Sequence, residues 1–234
     1  MISIIIPTLN EARRLPGLLK AIREQRTDNE VIVVDGGSTD RTLEVARDHE
    51  VQILAAPAGR GAALSIGAGA SQGEVLLFLH ADSSLLPGAL DKINEMLSTN
   101  PQIIGANFRL VFDGNTSFSR RLTRVCAWIR LIGLYYGDSG IFVRRSAYEA
   151  IGGFRSIPLM EDLDFVRRLE RSGRTCCIQR PSLITSSRRF ERRRPLEIFL
   201  GLVSWLGVSP GRLAEIYRMH SPPEISGSGL TGKS

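Results

Sequence analysis

The sequence predicts an α/β fold: one Rossmann-like domain on a mixed, mostly parallel central sheet, with helices at its C-terminal end. Three observations carry this. Short apolar runs at 2–6, 31–34, 51–54 and 75–79 are rich in β-branched residues and nearly continuous, as strands covered on both faces must be. Segments of helical spacing separate them, and strands joined by helical crossovers lie parallel. Each run ends in a turn carrying acids, glycine or arginine. Those turns therefore gather at the carboxyl edge of the sheet, where open α/β folds bind ligands.

The first strand leads into Pro7-Thr8-Leu9-Asn10-Glu11, and a helix over 11–25 follows, with Leu15, Leu18, Leu19 and Ile22 on one face. The second ends at Asp35-Gly36-Gly37-Ser38, after which Thr39 and Asp40 cap a helix over 42–48. The third ends at Gly59-Arg60-Gly61 and the fourth at His80-Ala81-Asp82. Pro87 opens another helix at a first-turn position. The segment 106–112 alternates and ends at Asp113-Gly114-Asn115, a turn signal that makes the sheet mixed from there on. A helix near 122–132, a glycine-rich bend Gly137-Asp138-Ser139-Gly140 and a helix over 162–172 come next. Pro195 then opens a helix with Leu196, Phe199, Leu200, Val203 and Leu206 on its apolar face, and a shorter helix covers 210–219. Residues 221–234 are rich in Pro, Gly and Ser and read as a disordered tail.

At 234 residues the chain can bury one sizeable core. Its net charge of +6 is concentrated, most densely at Arg188, Arg189, Arg192, Arg193 and Arg194. Aromatic residues make up 6% and do not alternate with basic ones, so a nucleic-acid platform is not expected. Phosphate or anionic lipid suits the arginines better. No apolar run approaches the roughly 20 residues that span a bilayer. Three cysteines without metal-knuckle spacing point to a reduced, cytoplasmic setting, in which the sequon at Asn115 carries no meaning.

Two patterns are decoys. Residues 227–234 match the phosphate-binding spacing G-x-x-x-x-G-K-S, but they lie in the tail and not between a strand and a helix. Gly67-Ala68-Gly69 lacks the third glycine of a dinucleotide fingerprint and sits within a helical stretch, where packing explains it. Asp82 is different, because it follows a run too apolar to tolerate a carboxylate before the sheet edge. There it serves either as a ligand for Mg²⁺ or Mn²⁺ or as a cap of the next turn. Asp35 is either an ordinary turn residue or a base or ribose contact. Arg60, between two glycines, is displayed toward an anion or is solvated. Glu161 and Asp162 open a helix, where the dipole favours acids, or one of them takes a proton from an acceptor hydroxyl.

Together the segments 4–11, 33–40, 59–61, the motif at Asp82 and Glu161-Asp162 resemble the family 2 glycosyltransferases of the A-type fold. The resemblance runs from Ile2 to about Arg194 and implies a nucleotide-diphospho-sugar transferase. It divides residues 1–220 into a donor-binding half (1–104), an acceptor-facing half (105–194) and C-terminal helices (195–220). It places Pro7, Thr8, Glu11, Asp35 and Arg60 around the nucleotide, Asp82 on the metal, and Asp162, beside Glu161, as the base of an inverting transfer. Asp138, Ser139 and Gly140 would line the acceptor entrance. Arg188 and Arg189, followed by Phe190, resemble an element in which a basic pair meets the diphosphate. More narrowly, the chain is similar to short bacterial transferases of arsenosugars or carotenoid acids.

The family's metal motif is commonly Asp-x-Asp, whereas here its first place is His80. A neutral histidine can replace a ribose-contacting acid as a hydrogen-bond partner, leaving Asp82 to bind the metal; direct ligation by His80 is the alternative. The expected reaction is inverting transfer from a nucleotide diphosphate donor, with a UDP-sugar expected and guanosine left open, to an acceptor hydroxyl or carboxyl. The arginine cluster and the helix after Pro195 either make peripheral contact with an anionic membrane on its cytoplasmic face, presenting a lipid-like acceptor, or the helix is an ordinary amphipathic one packed on the core. Two other readings remain: a sugar nucleotidyltransferase, which would show a glycine- and Arg/Lys-rich loop in place of residues 7–11, and a non-catalytic nucleotide- or lipid-binding protein of the same fold.

Overall fold

Strand β1, Ile2–Thr8, is buried along almost its whole length, and in the computed structural model of the chain it pairs on both sides. The structure describes residues 1–57, 59–114, 116–131 and 133–185. β1 lies parallel to β2 (Asn29–Asp35) and to β4 (Val75–Phe78), and β2 lies parallel to β3 (Gln52–Ala55). Beyond β4 come β7 (Ile141–Arg144), β6 (Ile103–Phe112), β8 (Arg174–Thr185) and the short β5 (Ser84–Leu85), giving the order β3-β2-β1-β4-β7-β6-β8-β5. β7 is antiparallel to both its neighbours, and β5 is antiparallel to β8. The remaining strands share one direction, so the sheet is mixed and mostly parallel.

Alternation along the strands divides the core into two layers. Ile4, Ile6, Val33, Leu77 and Leu79 face α1 (Leu15–Arg23), α2 (Thr42–Asp48) and α4 (Ala89–Thr99). Ile5, Ile32, Val34, Leu76 and Phe78 face α3 (Arg60–Ala70), α6 (Arg145–Ala150) and α7 (Glu161–Ser172). Gly67 of α3 is where that helix presses on the sheet: an added Cβ would lie 2.5 Å from Ile5 and 2.9 Å from Val34. Close packing therefore explains Gly67, whereas Gly69 has open space about it.

Several element boundaries differ from those expected. α1 begins at Leu15, because residues 12–14 form a turn and Asn10 takes a left-handed conformation (φ 57°). Pro87 lies in a turn, and α4 starts after Gly88 (φ 75°). α5 runs Ser117–Arg130, opening five residues before the expected 122 because Thr116 and Ser119 form a reciprocal capping box. The turn at Asp113 and Gly114 leads into this helix and not into a hairpin. The expected helices at 195–206 and 210–219, the tail, Arg188 and Arg189 lie outside the described residues.

Two features place the site. β7 runs backward from the carboxyl edge, with Ile141 opposite Phe78, so the bend at Gly137–Ser139 arrives beside the residues that follow β4. β6 and β8 run on past that edge. Ala106 is paired with Phe142 of β7, while β6 continues to Phe112 beside Thr185. This arm holds β5 on one flank and α5 on its surface, where Leu110, Phe112 and Leu122 form a small cluster of their own.

Candidate active site

The end of β1 and the end of β2 meet at the carboxyl edge, where Thr8 is paired with Asp35. The Asp35 carboxylate is buried and accepts from the Gly37 N–H (2.9 Å), the Ser38 N–H (2.8 Å), the Ser38 hydroxyl (2.5 Å) and the Thr8 hydroxyl (3.3 Å). It thus shapes the turn. Asn10 completes a second latch: its Oδ1 accepts from Thr39 N–H at 2.9 Å and Asp40 N–H at 3.3 Å. The Glu11 N–H donates to Thr42 Oγ1 (2.8 Å), and its carboxylate pairs with Arg14 (3.1 Å). Pro7, Thr8, Glu11 and Asp35 therefore form one rim, with Asp35 occupied internally.

The densest constellation lies one strand further along. Arg60, the first residue of α3, pairs through Nε with Glu161 and through Nη2 with Asp162 Oδ2 (3.5 Å), and its Nη1 lies 3.3 Å from His80 Nε2. Both acids are about 95% buried, each being 5% exposed. Asp162 Oδ2 also accepts from the Gly137 N–H (2.8 Å), while Oδ1 accepts from Leu163 N–H (2.9 Å). Four segments far apart in the chain converge here. Burial opposes the charge on Arg60, but Asp162, Glu161 and Asp138 more than offset it, so its pKa lies above the ordinary arginine value.

The glycines of this region answer to close approach. A Cβ on Gly61 would clash with the Arg155 carbonyl, and one on Gly137 would sit 3.1 Å from His80 Nε2 and 3.3 Å from Asp162 Oδ2. Met160 takes a left-handed conformation (φ 61°), which turns the chain so that α7 starts with its two acids pointing into the site.

Asp82 is half-buried, two residues beyond His80. Among the described residues no group of three or more His, Cys, Asp or Glu is arranged to hold a metal ion. A single carboxylate still suits Mg²⁺ or Mn²⁺ where substrate phosphates and waters supply the other oxygens. His80 Nε2 lies within hydrogen-bonding distance of Arg60, with the direction set by the imidazole tautomer. In the bend, the Ser139 hydroxyl donates to the Tyr136 carbonyl (2.6 Å), and Gly140 (φ 65°) is packed against Leu183, Phe108 and Leu79. Ser139 and Gly140 build the bend, and Asp138 contributes charge toward Arg60. Sequence reasoning missed Gly137 as a donor to Asp162 and Glu161 as the partner of Arg60. Only the glycine's place in the bend hinted at the first, and nothing local signalled the second.

The mixed, mostly parallel sheet with helices on both faces is the A-type glycosyltransferase fold. The chain belongs to glycosyl transferase family 2, whose model matches residues 3–157. It is 30% identical over 181 residues to an uncharacterized glycosyltransferase of Haemophilus influenzae, covering 72% of this chain and 62% of that one. It is also 37% identical over 92 residues to the 4,4'-diaponeurosporenoate glycosyltransferase of Staphylococcus haemolyticus, covering 36% of this chain and 24% of that one. The chain thus spans less than two thirds of either relative. Among solved structures, it is similar to the mannosyltransferase PcManGT of Pyrobaculum calidifontis in complex with GDP-Man and Mn²⁺, with a TM-score of 0.68, 20% identity, and 92% of this chain and 69% of that one covered. Glucosyl-3-phosphoglycerate synthase of Mycobacterium tuberculosis with Mn²⁺, UDP and glucosyl-3-phosphoglycerate gives a TM-score of 0.63 at 18% identity, covering 89% of this chain and 81% of that one.

Proposed function

We propose that the chain transfers a sugar, with inversion, from a nucleotide diphosphate donor to an acceptor hydroxyl or carboxyl. The observation that carries this is the meeting of Arg60, His80, Glu161, Asp162 and the Gly137 N–H at the carboxyl edge. In the proposed reaction Asp162 Oδ2 takes the proton of the acceptor hydroxyl as its oxygen bonds to the anomeric carbon. The bond from that carbon to the diphosphate breaks, and its electron pair leaves with the nucleotide. A carboxylate acceptor needs no such base. Arg60 supplies positive charge for the diphosphate, and Glu161 holds the guanidinium in place. Asp82 would hold Mg²⁺ or Mn²⁺, which when bound neutralises charge on the departing diphosphate. Pro7, Thr8, Glu11 and Asp35 shape the pocket for the nucleoside. Solved structures of the same fold contain Mn²⁺ with GDP-Man in one case and UDP in another, which supports a nucleotide-sugar donor and leaves both nucleosides to be tried.

The test is release of UDP or GDP from a panel of their sugars in the presence of Mn²⁺. Activity should be lost on chelation and in Asp82→Ala. Asp162→Asn should slow transfer to a hydroxyl by roughly 10²- to 10⁴-fold while nucleotide binding persists. Nucleotide release unchanged in both variants would sink the proposal, and the same measurement separates it from a nucleotidyltransferase or a non-catalytic binder. The anomeric configuration of the product, read by NMR, tests inversion.

A further inference from the structure

Between α5 and the β6–β8 arm lies a cavity of about 520 Å³, the size of a small-molecule site. Tyr136 and Ser139 form part of its wall, and they flank Gly137, whose N–H binds the carboxylate of Asp162 at 2.8 Å. The cavity therefore reaches the bend that holds the candidate base, although Gly137 and Asp162 are not among its lining residues. At the α5 wall, Trp128 and Leu131 are 73% and 78% exposed, and Val125, one step back at the same three-residue spacing, is 45% exposed. Large apolar side chains in water beside an open cavity favour an apolar cover.

The cavity offers little free charge. The Arg130 guanidinium is engaged: it donates to Asn107 Oδ1 (2.7 Å), the Cys176 carbonyl (2.8 Å) and Thr175 Oγ1 (3.1 Å), lies 3.6 Å from Glu170 and stacks over Tyr135 at 4.4 Å. Burial drives the Tyr135 and Tyr136 phenols upward and the Cys126 thiol up to about 12, so these walls are neutral at physiological pH. Arg109 is exposed on β6. Gln179 on β8 is a second exposed polar side chain, so the free polar contacts lie on the strand wall and the exposed apolar ones on the α5 side. An apolar occupant would bury the exposed faces of Trp128 and Leu131.

We infer that this groove is the acceptor subsite and that it takes an amphipathic acceptor, one polar reactive end at Asp162 and an apolar body along α5. The inference rests on the transferase reading above and adds the chemical class of the acceptor. The probes that match it are 4-alkylphenols, which carry a hydroxyl on an apolar body of adjustable length. Isothermal titration of the full chain with phenol through 4-hexylphenol should show affinity rising with chain length. Ala127→Trp, which fills the groove from an exposed helix position, should abolish binding of 4-hexylphenol. Trp128→Ala should weaken it about tenfold, with melting curves confirming that both variants fold. Affinity indifferent to chain length, or unmoved by both substitutions, overturns the inference. So does a stripe that covers itself, seen as concentration-dependent dimers broken by Trp128→Ala without any phenol binding. If 4-hexylphenol binds but neither UDP nor GDP with Mn²⁺ does, the transferase reading fails and the acceptor role with it. If a nucleotide binds and the phenols do not, the inference fails alone.

Discussion

Asp162 is held by its surroundings from two sides. Its two oxygens do different things: Oδ1 closes onto its own helix, and Oδ2 faces Gly137, Arg60 and the space beyond. Gly137→Ala would intrude on both His80 and Asp162 at 3.1–3.3 Å, so either must shift by tenths of an ångström. We expect transfer to fall about tenfold through misplacement alone, with a much smaller change in melting temperature; equal losses in both would refute a positioning role. Asp35 stood out because a charged group directly after a buried strand has few other reasons to be there, whereas Arg60 and the helix-opening acids Glu161 and Asp162 each had an ordinary alternative. The pairing of Arg60 with Glu161 was not legible, since the two are 101 residues apart and only the tertiary structure joins them. Asp35 was legible as a motif, while its four internal hydrogen bonds were not.

Among the elements, continuous apolar runs identified the buried strands and helical capping and spacing identified the helices. The strands 2–6, 31–34 and 75–79 and the helices 42–48 and 162–172 correspond to β1, β2, β4, α2 and α7 within one or two residues. β8 escaped detection because Pro181 interrupts it and its pairing with β6 slips between Phe108 and Leu110, a bulge that breaks the alternating pattern. β5 is two residues long, too short to show a period. The start of α5 was missed because Thr116 and Ser119 form a capping box with serine in place of the usual acid or amide. Thr116→Ala should therefore cost about 1 kcal/mol and raise amide exchange in the first turn of α5. Unaltered exchange there would mean that packing on β6 alone holds the helix.

For the molecule as a whole, Glu30 ties together the entries of β1, β2 and β4. It accepts from the Ser3 hydroxyl (2.6 Å), Gln72 N–H (2.5 Å) and Gly73 N–H (3.1 Å). Partial burial works against its charge, but Ser3, the two amides and Arg145 outweigh it, holding its pKa below the ordinary glutamate value. The stabilisation is therefore complete above the unfolded-state pKa and is lost as pH falls through the lower native value. Glu30→Gln should cost about 1 kcal/mol at neutral pH, discounted for partial exposure, and the gap from the parent protein should close in acid. A gap independent of pH would contradict this. The antiparallel insertion of β7 also governs how the chain can be divided. Residues 1–104 end before the partner of β4 is made, so a fragment of that length would present Val75–Phe78, four buried apolar residues, as a bare sheet margin. Such a piece should precipitate or self-associate when produced alone, and light scattering would reveal it; a soluble monomer would show the margin to be harmless. The rim at Thr8 and Asp35 does not then come away as a free-standing module, because the strand that completes its sheet belongs to the same stretch as Gly137, the partner of Asp162.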